Sequence, residues 1–213
     1  MRVAFTVLAR RPDVTDREPR LDLTGVVLGL SGMDLRGANL SNTYLDRASL
    51  NRTDLSGADL SEANLYGANL GIAILRGANL RGANMHTTYL TGADLTEAIL
   101  RDANLPRAIL RGADLTRADL RDADLHDADL TRADLTYADL TGADLRDADL
   151  SYADLSGADL TNAGLTNADL RGANLSGVSL IRADLGRANL SGADLSGVTG
   201  LAQPRAVGRC DRG

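Results

Sequence analysis

A chain of 213 residues with no tryptophan, one phenylalanine and five tyrosines cannot build an ordinary aromatic-rich core, so leucine and alanine must fill it. A formal charge of −6, with arginine as the only basic residue type besides two histidines, excludes the basic face of a general nucleic-acid binder. The single cysteine, Cys210, excludes an internal disulfide and a cysteine-based metal cluster.

Residues 1–20 carry Pro12, Pro19 and five arginines, and are expected to form an N-terminal arm or cap. Their apolar run, within MRVAFTVLARR, spans about seven residues and lacks a small-residue cleavage pattern, which argues against a signal peptide. No window approaches the ~18 apolar residues of a membrane span. The default expectation is a cytoplasmic protein without membrane contact. In LDLTGVVLGLSGMDL, residues 21–35, Leu23 and Leu28 are five apart before Gly29-Leu30 shift the frame, which predicts an irregular first coil.

From Leu30 to Leu195, 33 of the 34 positions divisible by five are leucine, and the exception is Met85. Two residues earlier, alanine fills 28 of 33 positions, with Met33, Thr43, Thr53, Thr88 and Val178 as the exceptions. A helix cannot use this spacing. At about 100° per residue, successive leucines would step roughly 140° around the axis and form no stripe. A long strand fails too, because five is odd and side chains alternate with period two. A short extended segment followed by a corner satisfies both constraints. Within Ala-Asp-Leu the alanine and leucine face one way and the aspartate the other, and the remaining pair turns the chain. Small and turn-forming residues suit such corners, and Pro106 stands at one of them, where its missing N–H matters least. A chain that keeps turning with all leucines inside is a coil, and stacked coils pair their backbones at about 4.8 Å per layer. Spacing alone leaves the number of corners per coil open.

The tandem motif A(D/N)LXX over residues 30–199 resembles the pentapeptide-repeat family. The resemblance implies an all-β, right-handed quadrilateral parallel β-helix solenoid with four pentapeptides per coil. The β-helix would span residues 21–199, with the 34 repeats of residues 30–199 winding about 8.5 coils into a rod of roughly 40 Å. The tail, GLAQPRAVGRCDRG, has no apolar periodicity and is expected to be disordered.

The functional clue lies in the outward position before each leucine. Ten consecutive repeats carry aspartate there: Asp114, Asp119, Asp124, Asp129, Asp134, Asp139, Asp144, Asp149, Asp154 and Asp159. They face away from the core leucines Leu115, Leu120, Leu125, Leu130, Leu135, Leu140, Leu145 and Leu150. Residues 111–160 hold 13 aspartates and 5 arginines, a net of −8. Over two and a half coils, about 12 Å, that is one charge per ~1.5 Å, comparable to the ~1.7 Å of duplex DNA. An Asp or Asn here can also bond the corner backbone, a requirement of the fold alone. Eight other repeats use asparagine, including Asn39, Asn64, Asn79 and Asn174, so the run of aspartate is a surplus over that requirement.

Other candidates are weaker. His86 and His126 lie two coils apart, about 10 Å, too far to share one metal with bonds near 2 Å. They are expected to be surface residues. Arg117 and Tyr137, and Arg132 and Tyr152, are one coil apart and could stack as cation–π pairs. Ile72, Ile74, Ile99 and Ile109 point outward but spread over different faces. Carboxylates on a convex rod without a pocket give no reason to expect an enzyme, and no cofactor or metal is expected.

The reading is therefore a non-enzymatic protein-interaction scaffold whose protein partner and oligomeric state are open, with no direct nucleic-acid binding. The resemblance implies one specific alternative. Some members of the family imitate B-form DNA, bind DNA gyrase or topoisomerase IV, and protect them from inhibitors. Under it, the surface would be the ten aspartates. Two features depart from those members: the central position is leucine rather than phenylalanine, and the tail offers no apolar helix for dimerisation.

Overall fold

The computed structural model describes residues 32–200; the readings made for 1–31 and 201–213 lie outside them. Within this range the chain is a right-handed quadrilateral β-helix, and every pentapeptide repeats one backbone plan. Residues 130–134 illustrate it. The N–H groups of Leu130 and Arg132 donate to the carbonyls of Asp149 and Ser151, one coil later, at 2.7 and 3.1 Å. The N–H of Asp134 donates back to Ala113, one coil earlier, at 2.9 Å. Ala133 closes the corner by donating to Leu130 at 3.0 Å. Only the N–H of Thr131 finds no backbone acceptor, and it donates to the Asp129 side chain instead.

This plan fixes the coil length. Parallel bridges join residues 20 apart, from Asp34–Asp54 to Ser179–Thr199, so four pentapeptides make one turn. Each side of the square is only one bridged residue wide, and the corners take up the rest. At ~4.8 Å per coil the neighbouring backbones satisfy one another as in a sheet.

The corners need positive φ at their second residue, as type II turns do. Glycine supplies this at positions such as Gly157, but among the described residues 20 such corners are not glycine. They include Ile72 at φ 56 and Thr87 at φ 55, β-branched residues for which this region is unfavourable. The expected small-residue corner is thus a preference only. The inter-coil bonds on both sides of each corner hold it closed whichever residue occupies it.

Inside, Leu115, Leu120, Leu125, Leu130, Leu135, Leu140, Leu145 and Leu150 are all buried, with the alanines between them. Met85 takes a leucine place without exposure. Thr88, in an alanine place, is buried and donates its hydroxyl to the Leu65 carbonyl at 2.8 Å, which removes the cost of burying it. Leu185, Leu190 and Leu195 of the last described coil are less covered, Leu195 being 38% exposed.

Candidate interaction surface

All ten aspartates of the run have the same local task. Each accepts, on Oδ1, the N–H of the residue two ahead: Thr116, Arg121, His126, Thr131, Thr136, Thr141, Arg146, Ser151, Ser156 and Thr161. This N–H is the one that the inter-coil ladder leaves over. Asparagine does the same work, as Asn174 does for Ser176 at 3.0 Å. Proline removes the need. Pro106 occupies the leftover position with no N–H to place, and its ring is buried.

The bridges sort the ten aspartates into four columns rather than one surface. Asp114, Asp134 and Asp154 stack on one side, and Asp119, Asp139 and Asp159 on the next. Asp124 and Asp144 form the third column, and Asp129 and Asp149 the fourth. The candidate surface therefore rings the rod.

Arginines then distinguish the sides. Where the turn opens with arginine after aspartate, the guanidinium folds back on that carboxylate, as Arg121 does on Asp119, Arg146 on Asp144 and Arg171 on Asp169. These bonds hold all three carboxyls below the usual range against the opposing effect of partial burial. Where Ile74 and Ile109 replace the carboxylate, the arginine reaches forward instead, Arg76 to Asp94 at 3.3 Å and Arg111 to Asp129 at 2.9 Å, whereas Arg101, after Ile99, turns to its neighbour Asp102. Arg121 also approaches Asp139 at 3.5 Å. Thus three columns each contain a carboxylate paired with a cationic or imidazole side chain.

The column Asp114–Asp134–Asp154 differs. Its turns open with Thr116, Thr136 and Ser156, and none of its three carboxylates has an arginine at ion-pair distance among the described residues. For Asp114 and Asp154, burial pushes the carboxyl pKa up, but the N–H and hydroxyl of Thr116 and Ser156 outweigh it and hold both low. The bridged carboxylates of this side are edged with hydroxyls, and its arginines stand at the corners outside ion-pair distance of them.

Exposed rings stand at both of its corners. Tyr152 precedes Asp154 at one corner and Tyr137 follows Asp134 at the other, 64% and 63% exposed. The expected stacking on arginine gives way to a different contact. A Cβ added to Gly157 would lie 2.5 Å from Tyr137 Cε1, and one added to Gly172 would lie 2.8 Å from Tyr152 Cε1. Each ring therefore lies against the glycine of the following coil, in the space a Cβ would need. Arg117 points the other way, 3.9 Å from Glu97 one coil back. The sequence signal for this arrangement is a tyrosine with glycine 20 residues later, visible only once the coil length is known.

The remaining candidates take definite places. Ile72, Ile74, Tyr89 and Ile109 gather around one edge, with Ile72 packed towards Gly92, whereas Ile99 lies on a side away from it. His86 stacks on Tyr66, ring centroids 5.4 Å apart. His126 lies far from His86 but beside two carboxylates, so that Asp124, His126 and Asp144 bring one ligand atom each within 4.8 Å of one another. Pairing histidine with histidine at 40 residues missed this group; the relevant spacings are 2 and 18.

Comparison with known proteins agrees with this architecture. A family model described as pentapeptide repeats matches eight copies, over segments running from residue 34 to residue 197. HetL, a pentapeptide-repeat protein involved in heterocyst differentiation regulation from the cyanobacterium Nostoc sp. strain PCC 7120, is 36% identical. The match covers 84% of this chain and 89% of HetL, with a TM-score of 0.57. Trypsin-treated QnrB1, a plasmid-mediated fluoroquinolone resistance protein, is 22% identical with a TM-score of 0.73, over 84% of this chain and 91% of that one. A search of curated proteins finds no match.

Proposed function

The chain belongs to the pentapeptide-repeat family, and from that premise we propose that it is a non-enzymatic scaffold that docks a basic protein surface on the Asp114–Asp134–Asp154 side. The carrying observation is the pairing of three carboxylates that have no arginine at ion-pair distance among the described residues with two exposed tyrosines at the edges of the same side. Unpaired carboxylates steer and orient a cationic partner. Tyrosine supplies large contact area with few rotatable bonds and is enriched in interface centres. Here the rings are already held over Gly157 and Gly172, so little ordering remains for binding to impose. Every aspartate of the run is engaged by its own corner N–H on a convex surface, which supports a binding rather than a catalytic role. The regulatory involvement stated for HetL is compatible with such a scaffold.

The test is affinity capture with matched variants. Wild type and a variant with Asp119→Asn, Asp139→Asn and Asp159→Asn should retain the same basic partner. The combination Asp114→Asn, Asp134→Asn and Asp154→Asn should lose it. A partner retained equally by all three proteins contradicts the proposal.

A second reading is favoured by one observation, the net −8 of residues 111–160 distributed around all four sides. That distribution suits an imitation of duplex DNA that occupies DNA gyrase or topoisomerase IV. It requires the purified protein to alter supercoiling or inhibitor sensitivity at micromolar concentration, and an unaffected enzyme contradicts it.

A further inference from the structure

We propose that Asp124, His126 and Asp144 form a surface site for a divalent transition ion of the zinc class, independent of the docking side. The three side chains converge from two successive coils. Asp124 and His126 flank one corner, and Asp144 is the bridge partner of Asp124 in the next coil. One ligand atom from each lies within 4.8 Å of the others. His126 Nδ1 is 2.6 Å from Asp124 Oδ1, so the imidazole is already turned towards the carboxylates.

The donor set has a chemical preference. One imidazole nitrogen and two carboxylate oxygens suit zinc and its neighbours better than calcium or magnesium, which take oxygen alone. Zinc bonds of about 2.0–2.2 Å in tetrahedral geometry place donor atoms roughly 3.4 Å apart. The Nδ1–Oδ1 approach of 2.6 Å is already shorter than that value, the other separations stay within 4.8 Å, and all three side chains are only partly buried. Three protein ligands leave a fourth position for water. The next coil carries Gly164 where the column would otherwise place another side chain, and a Cβ there would come within 3.8 Å of Asp144 Oδ1.

Arg146 is the competitor. It donates through Nε to Asp144 at 2.8 Å, and the pair must open for Asp144 to ligate a metal. The arginine side of the pair is exposed and open to solvent, so it is an adjustable obstacle rather than a barrier. This gives the proposal an unusual signature: removing a surface arginine should strengthen cation binding.

Zinc sulfate titrated into the full chain, followed by calorimetry and by imidazole ¹⁵N shifts, tests the site. His126 resonances should move at stoichiometric zinc, with those of His86, stacked on Tyr66, left unmoved. His126→Ala should weaken binding by at least about tenfold, the scale associated with loss of a metal-site group, and Asp144→Asn should weaken it as well. Arg146→Gln should tighten it. Far-UV circular dichroism of each variant controls for folding. Zinc binding equal in wild type and His126→Ala, equal shifts at both histidines, no binding at millimolar zinc, or unchanged affinity in Arg146→Gln would each overturn the assignment.

Discussion

Asp134 Oδ1 accepts the Thr136 N–H at 2.9 Å, closing a corner where no backbone carbonyl is available to that donor. The same bond recurs at all ten aspartates of the run, so the fold needs an acceptor there and is indifferent to its charge. Asp134→Asn should therefore melt within experimental error of wild type. Asp134→Ala should lose about 1 kcal/mol, the typical net value of one hydrogen bond. Chemical denaturation of the three proteins under one buffer measures the difference, and an alanine variant as stable as the asparagine one would contradict the assignment.

Leu135 lies fully inside the coil. Leu135→Ala should cost about 2–5 kcal/mol, as for other buried leucines. Leu135→Asp should abolish the folded array, because the buried charge has no partner within the leucine column. An unchanged far-UV spectrum and melting temperature for Leu135→Asp would refute the inward-leucine arrangement.

Gly157 is held at φ +67 beneath the Tyr137 ring. Gly157→Ala incurs two separate costs, backbone strain and collision with Tyr137 Cε1 at 2.5 Å. The first should reach about 1 kcal/mol whatever the neighbour. The second should vanish in a Tyr137→Ser background. A double-mutant cycle separates them, and a coupling of zero would show that the ring does not rest on this glycine.

The acid limb of stability follows from Asp119, Asp144 and Asp169, whose carboxyls are held low by Arg121, Arg146 and Arg171. Their folded pKa lies below the unfolded value of 3.8, so their contribution is complete above that pH and is lost as pH falls through the folded pKa. The melting temperature should fall on acidification below about pH 4, where carboxylates titrate. Arg121→Gln should flatten that decline. Identical pH profiles for the two proteins would remove Arg121 as the cause.

How much of this was legible in the sequence depends on the distance over which residues act. The leucine and alanine positions, the corner between them and the bonding role of Asp or Asn follow from neighbours within one pentapeptide. They could be read directly. The 20-residue coil came from family resemblance, since spacing alone left the number of corners open. Contacts at 18 to 20 residues were the hard part. Tyr137 covers Gly157 rather than stacking on Arg117, and His126 meets Asp144 rather than His86. The non-glycine corners, Ile72 among them, were illegible for another reason: inter-coil hydrogen bonds override local preference.

The proposed one-sided docking surface is tested most directly by titration calorimetry of the captured partner against two charge-matched variants. Neutralising Asp114, Asp134 and Asp154 together should weaken binding by at least about tenfold, as loss of close interfacial charges does. Neutralising Asp119, Asp139 and Asp159 should leave affinity essentially unchanged, although it removes the Arg121 ion pairs. Equal weakening by both triple variants would contradict the one-sided surface and point instead to recognition of the whole charged rod.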